Sequence, residues 1–335
     1  MGLLTRLAIG AGRRASGQKP VDFLEVLKKP QKILCYPAQD GGELLLAIPA
    51  IRAIRKHYRE SVLSLLVDES KRWLWHFDTE ADQVIDFHPS QLKGLSSGEY
   101  RRLRRVVAAN KFDLLIDLNY RPMDLMSYLL SRCGIAVRYG QEAGDDYPFK
   151  NFLVREPGLP GDETLRSLAL IRALGAYSGQ HPTWPRLVGQ EGKREFREKL
   201  KEQGLKRGQS IVTLDAGNWK VRNLQSILAL LSRDSRLRLA MLNSPPNFRA
   251  SDQLTIIDPA SGVETAEVLA QSRGFIGSKN DLFSMAYIQK VPCLITVPSG
   301  TKGLPAAGDH LTIRTGRLPF ELEPGEMEGF LQKIF

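Results

Sequence analysis

Cysteine is scarce in this 335-residue chain: Cys35, Cys133 and Cys293 stand far apart, each in or beside an apolar segment. Such spacing offers neither a disulfide framework nor a metal knuckle, and it predicts buried thiols in a reducing cytoplasm. The five histidines never approach ligand spacing, so no metal is expected. No apolar run reaches the roughly 20 residues that a membrane-crossing helix needs. Low-complexity tracts, a Walker loop and a nucleophile elbow are all missing, and Gly10-Ala-Gly12 follows no strand, which excludes a dinucleotide fingerprint there. Acidic residues are the minority charge, 37 against 47 Lys and Arg, for a formal net charge of +10.

What is present is the composition of a soluble globular protein, 42% apolar and 25% charged. The length exceeds what one compact core usually holds, so two domains are expected. A basic balance points to anionic partners. Residues 1–32 carry seven basic side chains (Arg6, Arg13, Arg14, Lys19, Lys28, Lys29, Lys32) against Asp22 and Glu25, about half of the whole excess. The first 18 residues place a short apolar stretch before arginines, the reverse of a signal peptide. They read either as a basic tail or as a weak amphipathic contact with an anionic membrane surface. The cluster Arg101–Arg105 (RRLRR) lacks aromatic interleaving and reads as the solvated face of a helix, so no nucleic-acid partner is expected.

Short apolar runs with strand character lie at Ile33–Tyr36, Val62–Val67, Gln83–Phe87 and Leu114–Leu118. The second half has Ser210–Leu214, Arg238–Asn243, Leu254–Ile257, Gly274–Ile276 and Cys293–Val297. Helical patterns separate them: one opening at Glu43, one ending near Asn110, then Asp162–Leu174, the highly charged Gly192–Gln203, Gln225–Leu231 and the amphipathic Pro324–Phe335. This alternation predicts an α/β protein with parallel sheets. Tyr177–Arg186, with Gly179, Pro182 and Pro185, breaks the pattern and marks a boundary. The expected organisation is a basic extension over 1–30, a Rossmann-like domain over 31–178, a second over 187–320, and a helix over 321–335 that returns to the first.

Three blocks carry more than pattern. They are Gly42–Ile51 (GELLLAIPAI), Lys111–Leu118 (KFDLLIDL) and Gly277–Pro292 (GSKNDLFSMAYIQKVP). In order and spacing, over roughly residues 31–300, the chain resembles the family 9 glycosyltransferases, the heptosyltransferases of the lipopolysaccharide core. The resemblance implies a GT-B architecture, with two Rossmann-like domains whose parallel sheets face a central cleft, the first for the acceptor and the second for the donor. It further implies inverting, metal-independent transfer of a sugar from a nucleotide-diphosphate donor, with ADP-heptose a candidate and no other cofactor. The acceptor would be an anionic envelope glycolipid of the lipopolysaccharide type, met at the inner face of the cytoplasmic membrane with residues 1–30 in peripheral contact.

The sequence departs from the family pattern inside those blocks. Glu43 stands for an aspartate, Arg222 for a lysine, Lys279, Asn280, Asp281 and Leu282 for Asp-Ser-Gly-Pro, and Ser284 for a histidine. A second reading is therefore a transferase-like binding or scaffold protein of envelope glycan assembly without catalysis. A sugar-nucleotide epimerase of the same fold is a third.

Glu43 is the candidate base that takes the acceptor's hydroxyl proton. It also reads as half of a capping box, with Asp40 as N-cap and Glu43 at the third helical position, and the two roles do not exclude each other. Asp40, Gly41 and Gly42 form the acceptor-side loop. Lys220 and Arg222 are the candidate diphosphate clamp, arginine bringing a bidentate fork, and Trp219 is placed to touch the donor's sugar or base. Lys279, Asn280 and Asp281 complete the donor-side set. Lys279 stands at a predicted helix start, where a cation opposes the dipole and a bound anion would explain it. Asp281 also reads as the cap of a helix beginning near Leu282.

Overall fold

The computed structural model describes residues 22–37, 39, 42–76, 80–119, 125–142, 149–155, 163–177, 209–217, 221–246, 248–259, 262–298 and 311–316, with scattered positions between 179 and 202 and at 329 and 332. The chain divides into two compact units, Met1–Gln39 with Ala47–Thr183, and Asp40–Leu46 with Trp184–Phe335.

In the first unit β1 (Lys32–Tyr36), β2 (Val62–Asp68), β3 (Gln83–Phe87), β4 (Leu114–Asp117), β5 (Val137–Gln141) and β6 (Phe152–Val154) form one sheet in the order β3-β2-β1-β4-β5-β6. Every pairing is parallel. The central strands are buried along most of their length, as strands covered on both faces must be. The helices of this unit are α1 (Phe23–Lys28), α3 (Ile48–His57), α4 (Gly98–Asn110), α5 (Leu125–Ser131) and α6 (Glu163–Ala173). The intervening α2 (Glu43–Leu46) belongs to the second unit.

The second unit repeats the design. Its strands β7 (Ser210–Asp215), β8 (Leu237–Leu242), β9 (Leu254–Ile256), β10 (Ser272–Ser278), β11 (Cys293–Pro298) and β12 (Leu311–Gly316) run in the order β12-β11-β10-β7-β8-β9, again all parallel. Helices α7 (Val221–Leu231), α8 (Gly262–Gln271) and α9 (Asp281–Ile288) connect them. Read from β7, this is the same doubly wound order as in the first sheet. Each sheet therefore reverses direction once, between β1 and β4 and between β7 and β10. Ligands of such sheets bind outside the carboxyl ends of the strands at that reversal.

Several elements differ from expectation. The helix opening at Glu43 is two helices, because Pro49 lacks an N–H and its ring would meet the carbonyl of Leu45 in a continuous helix. Ala47 instead starts α3, accepting from Ala50 at 3.0 Å and Ile51 at 3.1 Å, with Pro49 in the first turn. Residues 22–30, read as part of a basic extension, fold into the first unit. Asp22 caps α1, Phe23 packs on Phe152 at 5.7 Å, and the Tyr58 hydroxyl donates to the Leu27 carbonyl at 3.0 Å. Helix α7 begins at Val221, so Arg222 stands on the helix and not in the loop before it. Strands β6 and β12 and helix α8 have no counterpart in the expected set. The charged segment Gly192–Gln203 lies largely outside the described residues, and the C-terminal helix almost entirely.

The three thiols are free and buried. Burial pushes Cys133 up to about 12 and raises Cys35, where the nearby Asp117 adds to the effect, and Cys293 as well. The RRLRR cluster lies on α4 with Leu103 fully buried and Arg101, Arg104 and Arg105 exposed. Arg102 turns back as a fork onto the buried Glu99, Nε to Oε2 at 2.7 Å and Nη2 to Oε1 at 2.8 Å, while the His88 N–H donates to Oε1 at 3.0 Å. The Arg102 hydrogen bond above all holds the Glu99 carboxyl below its ordinary 4.5. A depressed folded-state value stabilises above the unfolded value, and that stability disappears as pH falls through the folded one. Glu99→Gln should therefore cost about 1–3 kcal/mol at neutral pH. It should also flatten the loss of stability between about pH 5 and pH 3. Urea titrations across that range check both, and parallel acid limbs would exclude the assignment.

Candidate functional site

The carboxyl ends of β7, β8 and β10 meet around one carboxylate. Asp215 ends β7 and is 2% exposed. Its Oδ1 accepts from Asn243 Nδ2 at 2.9 Å and from the Gly217 N–H at 3.3 Å, and its Oδ2 accepts from Asn280 Nδ2 at 2.5 Å. Asn243 follows β8 with φ +51°, a left-handed conformation that asparagine tolerates better than most side chains. Gly277 of β10 is needed at this crossing, since a Cβ there would lie 2.9 Å from that of Asp215 and 2.7 Å from Phe275 Cζ.

Asn280 uses both ends of its amide. While Nδ2 grips Asp215, Oδ1 accepts from the Phe283 N–H at 3.1 Å and its carbonyl accepts from Ser284 N at 3.2 Å. It is thus the N-cap of α9, and Asp281, expected as the cap, is the first residue of the helix, where an acid suits the dipole. Lys279 is half-buried and lies two residues outside the helix. Asp215 therefore fixes, through Asn280, the amino end of a helix that leaves the reversal strand β10. An anionic group is what such an end accepts. Beside it the Ser278 hydroxyl, at the end of β10, is buried with no hydrogen-bond partner among the described residues. Such a group is costly unless something pairs with it.

Gly42 packs on the same helix. Its φ is +81°, and a Cβ would fall 2.1 Å from Ser284 Oγ and 2.6 Å from the Asn280 carbonyl oxygen. The Gly42 carbonyl accepts from Leu45 at 3.1 Å and Leu46 at 3.3 Å. Helix α2 therefore starts at Glu43, with Gly42 before it in a conformation no helix contains. Glu43 is thus the first helical residue, where the expected capping box had it as the third, and Asp40 lies outside the described residues.

At the matching reversal of the first unit, Gln39 ties the chain after β1 to β2: its amide donates to the Pro37 and Leu66 carbonyls and accepts from Asp68 N at 2.8 Å. Below lies a buried ion pair, Lys150 Nζ to Asp117 Oδ2 at 3.2 Å, with both side chains at most 3% exposed. Asp117 Oδ1 also accepts from Asn119 N at 2.9 Å. The described residues hold no cluster of three metal-ligating side chains, and no described helix is long and apolar enough to cross a membrane.

Two units of this order have close counterparts among solved structures. One is a family 9 glycosyltransferase from Veillonella parvula DSM 2008, with TM-score 0.66 and 14% identity over 92% of this chain and 94% of that one. Another is the E. coli ADP-heptose LPS heptosyltransferase II, at 0.66 and 14% over 90% and 98%. A third, the E. coli heptosyltransferase WaaC with ADP, gives 0.67 and 16% over 91% and 100%. The fold is that of a GT-B glycosyltransferase. No family model and no curated protein sequence matches the chain.

On this GT-B frame the expected site residues fall into three groups. Asn280, Lys279 and Asp281 gather at the amino end of α9, and Gly42 packs against that helix. Glu43 opens α2 and Arg222 is the second residue of α7. The side chains of these two, and all of Asp40, Gly41, Trp219 and Lys220, lie outside the described residues. Asp215 and Asn243 are absent from the expected set. Their signal in the sequence is a polar residue closing an otherwise apolar strand, SIVTLD and LRLAMLN.

Proposed function

We propose that the chain is an inverting glycosyltransferase that binds a nucleotide-diphosphate sugar in its second unit. ADP-heptose is the first candidate, and the acceptor is an anionic envelope glycolipid. The observation that carries this reading is the match, over about nine tenths of both chains, to heptosyltransferases, one determined with ADP. The amino end of α9, held by Asn280 and Asp215, supports it as a seat for the diphosphate.

In this reading the acceptor hydroxyl attacks the anomeric carbon, Glu43 takes its proton, and the bond from that carbon to the diphosphate oxygen breaks with inversion. The leaving diphosphate gathers charge, which the α9 amino end, Lys279, Lys220 and Arg222 offset without a metal. Asn280 and Asp281 shape that seat, and Trp219 lies against the donor's sugar or base. Asp40, Gly41 and Gly42 form the loop that presents the acceptor to Glu43. The protein works in the cytoplasm, and of residues 1–30 the part ahead of α1 rests on the inner membrane face.

Calorimetry with ADP, UDP, GDP and CDP tests the donor. The expected result is micromolar binding of ADP, weakened by about 10-fold to 100-fold in Arg222→Ala, the loss of a charge-assisted hydrogen bond. A folded protein that binds none of the four would favour the second reading, a transferase-like binding or scaffold protein. One observation speaks for that reading. Ser284, at the position of the family's histidine, is fully buried beneath Gly42, where a serine hydroxyl cannot take over the reach of a histidine ring.

A further inference from the structure

The first unit holds a second concentration of charge, at the end of its sheet opposite Asp117 and Lys150. A cavity of about 1580 Å³ opens where Lys32 and Val62 begin β1 and β2, walled by the end of α1, the last turns of α3 and the chain around Gly175–Gly179. Seven of its lining residues are Lys or Arg, against Glu60 and Glu80.

Cations collect at helix carboxyl ends for a structural reason, since they offset the dipole. Here that need is already met at α3. Arg55 Nη2 donates to the carbonyls of Tyr58 at 2.6 Å, Arg59 at 2.5 Å and Ser61 at 2.8 Å, and its Nη1 pairs with Asp82 at 2.8 Å. Lys32 donates to the Asn110 carbonyl at 3.1 Å, and Arg52 lies 3.9 Å from Glu80. Arg59 Nε donates to the Lys56 carbonyl at 3.2 Å. What remains is Lys28, Lys29 and Lys56, all exposed and in no ion pair with a described residue. Like charges around one concavity repel each other and raise the local concentration of anions.

We propose that this cavity is a second ligand site, for a molecule bearing several phosphate groups. The chemistry is that of ammonium and guanidinium groups on phosphate oxygens. The cavity exceeds the roughly 300–1000 Å³ of an ordinary small-molecule pocket, so a single phosphate would leave most of it empty. Two sources supply such a ligand, a soluble oligophosphate or the headgroups of an anionic phospholipid surface. The site stands on first-unit residues alone and does not depend on the transfer chemistry proposed for the second.

The test compares the full chain with Lys28→Glu/Lys29→Glu/Lys56→Glu and with the same three positions changed to Gln. One arm is calorimetry with inorganic tripolyphosphate, the other co-sedimentation with phosphatidylglycerol or phosphatidylcholine vesicles. The wild type is expected to bind tripolyphosphate or phosphatidylglycerol vesicles, more weakly as salt rises. The Glu variant should lose at least tenfold and the Gln variant less. The thermal midpoint should fall only slightly, and less for Gln than for Glu, because the exposed side chains of Lys28 and Lys56 lose only their interaction with the helix dipoles. Tripolyphosphate binding alone identifies the soluble source, and vesicle binding alone the lipid. A wild type that binds neither, or variants that bind as tightly as wild type, would overturn the proposal. The second outcome would place phosphate binding elsewhere, on the basic residues 6–19 or the donor site.

Discussion

Lys150→Met is expected to lower the thermal midpoint by roughly 6–20 °C. Removing one partner of a buried ion pair leaves the other charge uncompensated, at about 3–5 kcal/mol. In a unit of this size each kcal/mol moves the midpoint by about 2–4 °C. Lys150 is 2% exposed, and its stem lies along Gly140, where a Cβ would approach its Cδ to 3.0 Å. Methionine fills the same channel, so packing is largely kept and the loss reports on charge. Asp117 would retain the amide of Asn119, 2.9 Å away, but not the ammonium. Adding Asp117→Asn to Lys150→Met should recover much of the loss, since the amide needs no counter-ion. A single variant that melts within about 2 °C of wild type would show that other donors carry the Asp117 charge.

Gly42→Ala should have the second large effect, confined to the second unit. A left-handed backbone at φ +81° costs a residue with a Cβ about 1–2 kcal/mol. The new methyl would also meet Ser284 Oγ at 2.1 Å and the Asn280 carbonyl at 2.6 Å. Overpacking of this kind typically adds about 1–3 kcal/mol. Helix α2 should lift from α9, and hydrogen exchange of the α2 and α9 amides should accelerate. Adding Ser284→Gly should not restore stability, because the Asn280 carbonyl and the backbone conformation remain. By contrast, Ser284→Ala alone should be neutral or mildly stabilising, as its hydroxyl pairs with no described group. If Gly42→Ala left exchange and midpoint unchanged, α2 would not be held against α9 as described.

Fold and site were legible to different degrees. The strands Val62–Asp68 and Cys293–Pro298 follow closely from apolar runs between helical patterns, because a strand buried on both faces must be largely apolar. Burial of the thiols, and the solvated face of RRLRR around Leu103, follow from the same local arithmetic. The three-residue strand Phe152–Val154 is not read from its own pattern and exists because a neighbouring strand pairs with it. The break at Ala47 was written in Pro49, a breaker in a stretch that otherwise reads as helix.

The sequence by itself determined that this protein alternates strand and helix into two α/β units, since periodicity and propensity act over a few neighbouring residues. Tertiary structure alone decided what its polar groups do. Asp215 meets Asn243 and Asn280 across separations of 28 and 65 residues, and Asn280, not Asp281, caps α9 because its other end is held there. Hydrogen bonding and charge pairing select partners in space, and only folding brings those partners together.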